Sequence, residues 1–376
     1  MQAIVNGKIV TPSGVVENQI LLFQQTVVGI ESTLPEGCEV IDAAGGYVAP
    51  GLIDVHTHGY LGADASDGEI SGLKIMAEGM AKNGVTGFYP TTMTLGYDRL
   101  DRAFDSVRAY RANPSPEGAA VLGVNAEGPY LSPDKRGAHD PKYLRLPEAD
   151  FFLKNKDVVR ITTIAPDLPG AMETIRTLTE NGVRVSAGHT TADYDTTLRA
   201  LDAGATQATH TFNAMPALNH RKPGATGAFL TDSRVYCELI ADGFHVHPVF
   251  FGMLRQLKGE KLILITDCTR AGGMGDGDYD LGGQMMHVEG IHCLLPDGTI
   301  AGSILRLNLA VKNMIELGGA SVAEAVNMAS LNPARAFGID DRKGSLEPGK
   351  DADIAIFDGD FNAQRTIIGG KTAYCR

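Results

Sequence analysis

The sequence predicts a (β/α)8 barrel of the TIM type, carrying a small β-sandwich built from both chain ends. Three observations predict it. Eight short apolar runs alternate with helical segments through the middle of the chain. Histidines and carboxylates cluster at the ends of those runs. Residues 1–48 and 344–376 share a β-rich character without helical periodicity. Alternating β and α segments favour a parallel sheet covered by helices, and eight βα units fit a barrel of roughly 250 residues. The expected division is 49–343 for the barrel and 1–48 with 344–376 for the β-domain. A doubly wound open sheet is the other arrangement of such units, but it would not gather the residues described below.

At the N-terminal end, AIVNGKIVT, QILLFQQTVVGIES and CEVIDAAGGYVA alternate apolar and polar residues and are rich in Val and Ile, as in a half-buried sheet. GSLEPGKDADIAIFDGDF and RTIIGGKTAYC at the other end have the same pattern. The eight central runs are GLIDVHTH, GVTGFYPTT, AVLGVNAEG, VRITTIAPD, VRVSAGHT, ATQATHTF, VYCELIADG and LILITDCT. Their apolar interiors suit strands covered on both faces. The helices between them end at Asn83-Gly84, Asn181-Gly182 and Ala203-Gly204, where glycine supplies a left-handed terminal residue. The glycine-rich stretch 271–283 lacks the Lys-Ser/Thr of a phosphate loop and reads as a flexible excursion after the eighth strand.

A net charge of -12 argues against general affinity for nucleic acid or anionic membrane. It also means that any phosphate must be held by local donors. Five scattered cysteines without a CxxC pair suggest neither a zinc knuckle nor a disulfide framework. With no apolar signal segment at the start and no run of roughly 20 apolar residues, a cytoplasmic location is expected.

His56 and His58 end the first run, Glu127 the third, His189 the fifth, His210 the sixth and Asp267 the eighth. The C-terminal ends of barrel strands converge on one face, where active sites form. Spaced i, i+2, His56 and His58 point the same way from a strand. One histidine at a strand end is usually just a satisfied core or loop residue. Four, with two carboxylates, form a donor set suited to Zn²⁺, Fe²⁺ or a similar ion.

The motifs APGLIDVHTHG (49–59), NAEGPYLSP (125–133), RGAHDP (136–141), SAGHT (186–190), THTFNAMP (209–216), IADGFHVHP (240–248), ITDCT (265–269) and GKDADIAIFD (349–358) run along essentially the whole chain. In these it resembles the N-acetylglucosamine-6-phosphate deacetylases of the amidohydrolase superfamily. The resemblance implies hydrolysis of N-acetyl-D-glucosamine 6-phosphate to D-glucosamine 6-phosphate and acetate, in amino-sugar catabolism and cell-wall recycling. It implies that Glu127, His189 and His210 hold a principal ion: zinc, with iron, manganese or cobalt as alternatives. His56, His58 and Asp267 would hold a second, with Glu127 bridging. The fourth run has no lysine to serve as a carbamylated bridge. By the same resemblance Asp267 is general base and acid for metal-activated water, and His245 polarises the acetyl carbonyl. Ala138, His139, Asn213, Ala214, Arg221, Ile300, Ala301 and Gly302 would complete the substrate site. Ala138 and His139 would lie in a mobile loop over the pocket, and Arg221 would reach the phosphate from the partner of a homodimer. Rival expectations are an amidohydrolase of cyclic amide or aminoacyl substrates, and a non-catalytic scaffold on the same fold.

Overall fold

In the computed structural model, which describes residues 1–376, the eight central runs each form a parallel strand. They are β1 (Leu52–Thr57), β2 (Val85–Thr92), β3 (Val124–Tyr130), β4 (Val159–Ile164), β5 (Arg184–Ala187), β6 (Gln207–Ala208), β7 (Tyr236–Ile240) and β8 (Leu262–Ile265). Each pairs with its sequential neighbour. The ring closes where Asp267 N–H donates to His56 O at 2.9 Å and His58 N–H to Cys268 O at 2.8 Å. That seam joins the first and last candidate ligand segments directly.

The outer helices are α1 (Ile70–Ala81), α2 (Tyr97–Ala112), α3 (Asp150–Lys154), α4 (Ala171–Glu180), α5 (Tyr194–Asp202), α6 (Gly224–Thr231), α7 (Val249–Lys258) and α8 (Leu307–Glu316). Barrel and helices share one large apolar core. β6 is only two residues long, shorter than its run of eight suggests. His210, Phe212 and Ala214 take φ of 27°, 81° and 51°, and such left-handed backbone cannot continue a strand.

The stretch after β8 corrects the sequence reading. Gly277–Leu281, Gln284–Glu289 and His292–Leu294 form an antiparallel three-stranded sheet. Met286 and Val288 alternate inward with exposed neighbours, and that period of two marks a half-buried strand. The glycines obscured it.

The chain ends build two further sheets. One contains Val27–Glu31, Ile20–Phe23, Gln2–Val5 and Glu39–Asp42 in that order. The other runs Lys371–Cys375, Ala363–Ile368, Ile354–Phe357, Tyr47–Pro50, Lys8–Thr11 and Gly14–Val16. Its centre joins the two ends of the chain, with Val48 opposite Ile356. Ile4, Leu21 and Phe23 of the first sheet pack with Ile9, Val48, Ile354 and Ile367 of the second in a separate core. No helix is long and apolar enough to cross a membrane.

Candidate active site

The candidate ligands reach the pocket in two ways. His56 and Glu127 lie within β1 and β3, and His58 directly follows β1. His189, His210 and Asp267 each lie two residues beyond a strand end, with φ of 46°, 27° and 50°. Backbone bonds hold these turns: Ser132 N–H to His189 O at 2.9 Å, and Ser303 N–H to Asp267 O at 2.8 Å. Gly188 lets β5 approach β6, since a Cβ there would fall 2.5 Å from Thr209 Cβ.

Glu127 sits at the centre, 2% exposed. His189 Nε2 and His210 Nε2 approach its Oε1 at 3.1 and 3.0 Å, and His58 Nε2 approaches Oε2 at 3.1 Å. Asp267 Oδ1 is 3.2 Å from His58 Nε2 and 3.6 Å from His56 Nε2. The backs of the rings fix which nitrogens face inward. Nδ1–H of His56 donates to Glu238 Oε2 at 3.1 Å, that of His58 to Thr91 O at 3.2 Å, and that of His189 to Lys135 O at 2.7 Å. A ring that donates from Nδ1 keeps its Nε2 lone pair free for an ion.

His139 is built the other way round. Thr94 N–H donates to its Nδ1 at 3.1 Å, so the proton is on Nε2, which donates to Glu127 Oε2 at 3.2 Å. Burial pushes this imidazole down to about 4 despite the adjacent carboxylate, and it stays neutral. Donor atoms of Glu127, His139 and His189 lie within 4.8 Å of one another, as do those of His56, His58 and Asp267. The proton on His139 Nε2 makes that ring a hydrogen-bond donor, and His210 takes its place among the lone pairs. His139 is 3% exposed, lies in a turn between two short helical segments and lines the pocket.

These groups fit a divalent cation. His56 Nε2 is fully buried and has no hydrogen-bond partner. The Nε2 atoms of His189 and His210 lie 2.9 Å apart. Lone pairs so close to one another and to carboxylate oxygens require a cation or protons between them. Without an ion, protons take that place. Burial disfavours charge on His58, yet its contacts with Asp267 and Glu127 raise it to about 9. Burial likewise opposes ionisation of Glu127, but the surrounding imidazoles hold it well below the usual carboxylate range. Asp267 is held at about 2 by His58 and His56 against the effect of burial.

The pocket above has a volume of about 390 Å³, within the range of small-molecule sites. His58, Glu127, His189, His210, Asp267, His245, Ala138, His139, Asn213, Ala214, Ile300 and Gly302 line it. His56 lies beneath, Ala301 is fully buried, and Arg221 is exposed outside the lining. His245 is oriented by Asp242, whose Oδ2 takes Nδ1–H at 2.6 Å while Oδ1 accepts the backbone N–H of Phe244 and His245. Sequence reasoning passed over Lys135 and Arg136, two cations on the pocket wall. It also passed over Asp242 and Glu238. A charge inside the apolar run VYCELIADG was the available signal for Glu238.

Residues 47–373 match the amidohydrolase family. The chain belongs to that family. This amidohydrolase is 38% identical over 370 residues to an N-acetylgalactosamine-6-phosphate deacetylase of Escherichia coli O157:H7, covering 97% of each chain. It is 38% identical over 377 residues to an N-acetylglucosamine-6-phosphate deacetylase of Bacillus subtilis, covering 97% of this chain and 95% of the relative. It superposes with a TM-score of 0.92, at 31% identity and 99% coverage of each chain, on a mutant N-acetyl-D-glucosamine-6-phosphate deacetylase of Mycobacterium smegmatis in complex with N-acetyl-D-glucosamine-6-phosphate.

Proposed function

We propose that this amidohydrolase hydrolyses N-acetyl-D-glucosamine 6-phosphate to D-glucosamine 6-phosphate and acetate. The observation that carries this reading is the convergence of imidazole Nε2 atoms and two carboxylates at the floor of a sugar-sized pocket, in a chain whose relatives bear deacetylase names along nearly its full length. Glu127, His189 and His210 would hold one ion, and His56, His58 and Asp267 a second, with Glu127 between the two groups. Imidazole and carboxylate donors suit zinc first, then iron, manganese or cobalt. A divalent ion there supplies Lewis acidity, lowering the pKa of water and polarising the acetyl carbonyl.

The protein's own groups do the rest. Asp267, ionised and beside His58, takes the proton of the attacking water as the C–O bond forms. It returns that proton to nitrogen as the C–N bond breaks, leaving acetate and the free amine. His245, whose Nδ1–H is held by Asp242, would donate from Nε2 to the acetyl oxygen as charge develops there. His139 lines the pocket while its Nε2–H stays on Glu127 Oε2, which orients that carboxylate. Lys135 and Arg136 supply local positive charge for the phosphate in a chain whose overall charge opposes it. By the family resemblance Arg221 would act from a second copy in a homodimer; in its own chain it is exposed and lies outside the pocket.

One observation favours a second reading: the E. coli relative named for the galacto epimer is as similar as the B. subtilis relative named for the gluco epimer. Acetate release from both 6-phosphates and from unphosphorylated N-acetylglucosamine decides between them. The proposal predicts the highest kcat/KM for N-acetylglucosamine 6-phosphate and far lower turnover without phosphate. Preference for the galacto sugar would replace the substrate, and acetate from none of the three would overturn the function.

A further inference from the structure

Of the four histidines whose Nε2 atoms face the ion pocket, only His56 is backed by a carboxylate. The Nδ1–H groups of His58 and His189 meet backbone carbonyls, and His210 Nδ1 has no partner. Glu238, on β7 and 1% exposed, takes the Nδ1–H of His56 on Oε2 at 3.1 Å. The same oxygen takes the backbone N–H of His210, also at 3.1 Å. Its other oxygen is buried without a partner, and no lysine or arginine pairs with it. A carboxylate taken fully out of water with only an imidazole opposite is costly. Nothing in the packing of an apolar strand requires it.

The arrangement has a direct electronic consequence. A carboxylate accepting Nδ1–H makes the opposite nitrogen of the ring a stronger donor and fixes its tautomer. That opposite nitrogen is His56 Nε2, the one buried without a hydrogen-bond partner and facing Asp267 and Glu127 oxygens at 3.6 and 3.5 Å. Glu238 therefore stands behind the deepest ligand of the second group. Its bond to His210 N–H also ties β7 to the turn that carries a ligand of the first.

We propose that Glu238 is a positioning residue for a second ion, whose negative charge, delivered through His56, makes the His56–His58–Asp267 group hold a metal in its own right. This rests on the metal-dependent reading above. The test is Glu238→Gln, because His210 N–H keeps an amide oxygen at the Oε2 position, where it still accepts from His56. The charge is lost, and the amide NH2 takes the place of the buried, unpartnered Oε1. Co²⁺ is titrated into ion-free parent and variant, followed by its visible absorption, with stoichiometry from elemental analysis. His189→Ala and His58→Ala assign the two binding steps.

The expected result is two ions in the parent, and in the variant a loss of about 10–100-fold in affinity at the step assigned to His58. The other step should be unchanged, and the ion-free variant should melt no lower than the ion-free parent. Equal weakening of both steps with a lower melting temperature would make Glu238 merely structural. Unchanged affinity at both steps, or a single ion in the parent, would overturn the proposal and leave the hydrolase reading standing. A parent that binds no ion would overturn both.

Discussion

The candidate ligands fall into two trios that the backbone treats differently. His56, His58 and Glu127 stand on or beside regular strands, whereas His189, His210 and Asp267 stand on turns in left-handed conformation. Such a conformation in a non-glycine residue costs on the order of 1–3 kcal/mol and persists only where the surroundings enforce it. Here the enforcement comes from Ser132, Glu238, Ser303 and the closing seam at His56. The strand trio supplies fixed direction. The turn trio is folded back over it, so that groups from distant parts of the chain meet at Glu127.

Asp267 is the sharpest way to break this comparison, since it belongs to the turn trio yet is assigned chemistry beyond holding an ion. Asp267→Asn should lower kcat by about 10²–10⁴, while the ion held by Glu127, His189 and His210 remains by elemental analysis. Loss of that ion together with activity would make Asp267 a ligand of the principal site instead.

A control outside both trios is Ile354→Ala, in the two-sheet core at the chain ends. It should cost about 2–5 kcal/mol of stability in denaturant unfolding, with ion stoichiometry and kcat intact below the transition. A change in kcat at a temperature where the variant is folded would show that the two cores are coupled.

Arg221 tests the phosphate side, which neither trio serves. Arg221→Ala should cost about 1.5–3 kcal/mol, or roughly one to two decades of kcat/KM, for the phosphorylated sugar only. Hybrid dimers with an Asp267→Asn partner should recover part of the activity. Equal losses for both sugars would assign Arg221 to stability.

Per unit of pH the effect on ion binding is smaller. In the ion-free protein His58 is raised to about 9, its Asp267 and Glu127 contacts outweighing burial. Below that pH a proton occupies Nε2 and must leave before an ion can bind. Ion affinity should thus strengthen as pH rises from 7 to 9, by about tenfold per unit for one such proton, with proton release visible to an indicator dye. Affinity that is flat or falls over that window would contradict the raised value.

The strand trio was legible because alternation within GLIDVHTH places His56 and His58 on one face, and apolar runs marked all eight strands. The turn trio was legible only in composition. That His189, His210 and Asp267 leave their strands in left-handed turns is set by long-range bonds that no local pattern carries. The same holds for the pairing of Val48 with Ile356 across the chain ends, and for the opposite tautomer of His139, which depends on Thr94. His139 lies in the Gly- and Pro-flanked segment the sequence marked as a loop, and its contact with Glu127 is what no local pattern showed.

The most direct test is acetate release from N-acetylglucosamine 6-phosphate by one preparation before chelation, after it, and after an ion is restored. Ion content is measured at each stage. The imidazole and carboxylate cluster predicts activity that disappears with the ion and returns with it, because water at neutral pH is a poor nucleophile without one. Full turnover in an ion-free sample would contradict the mechanism.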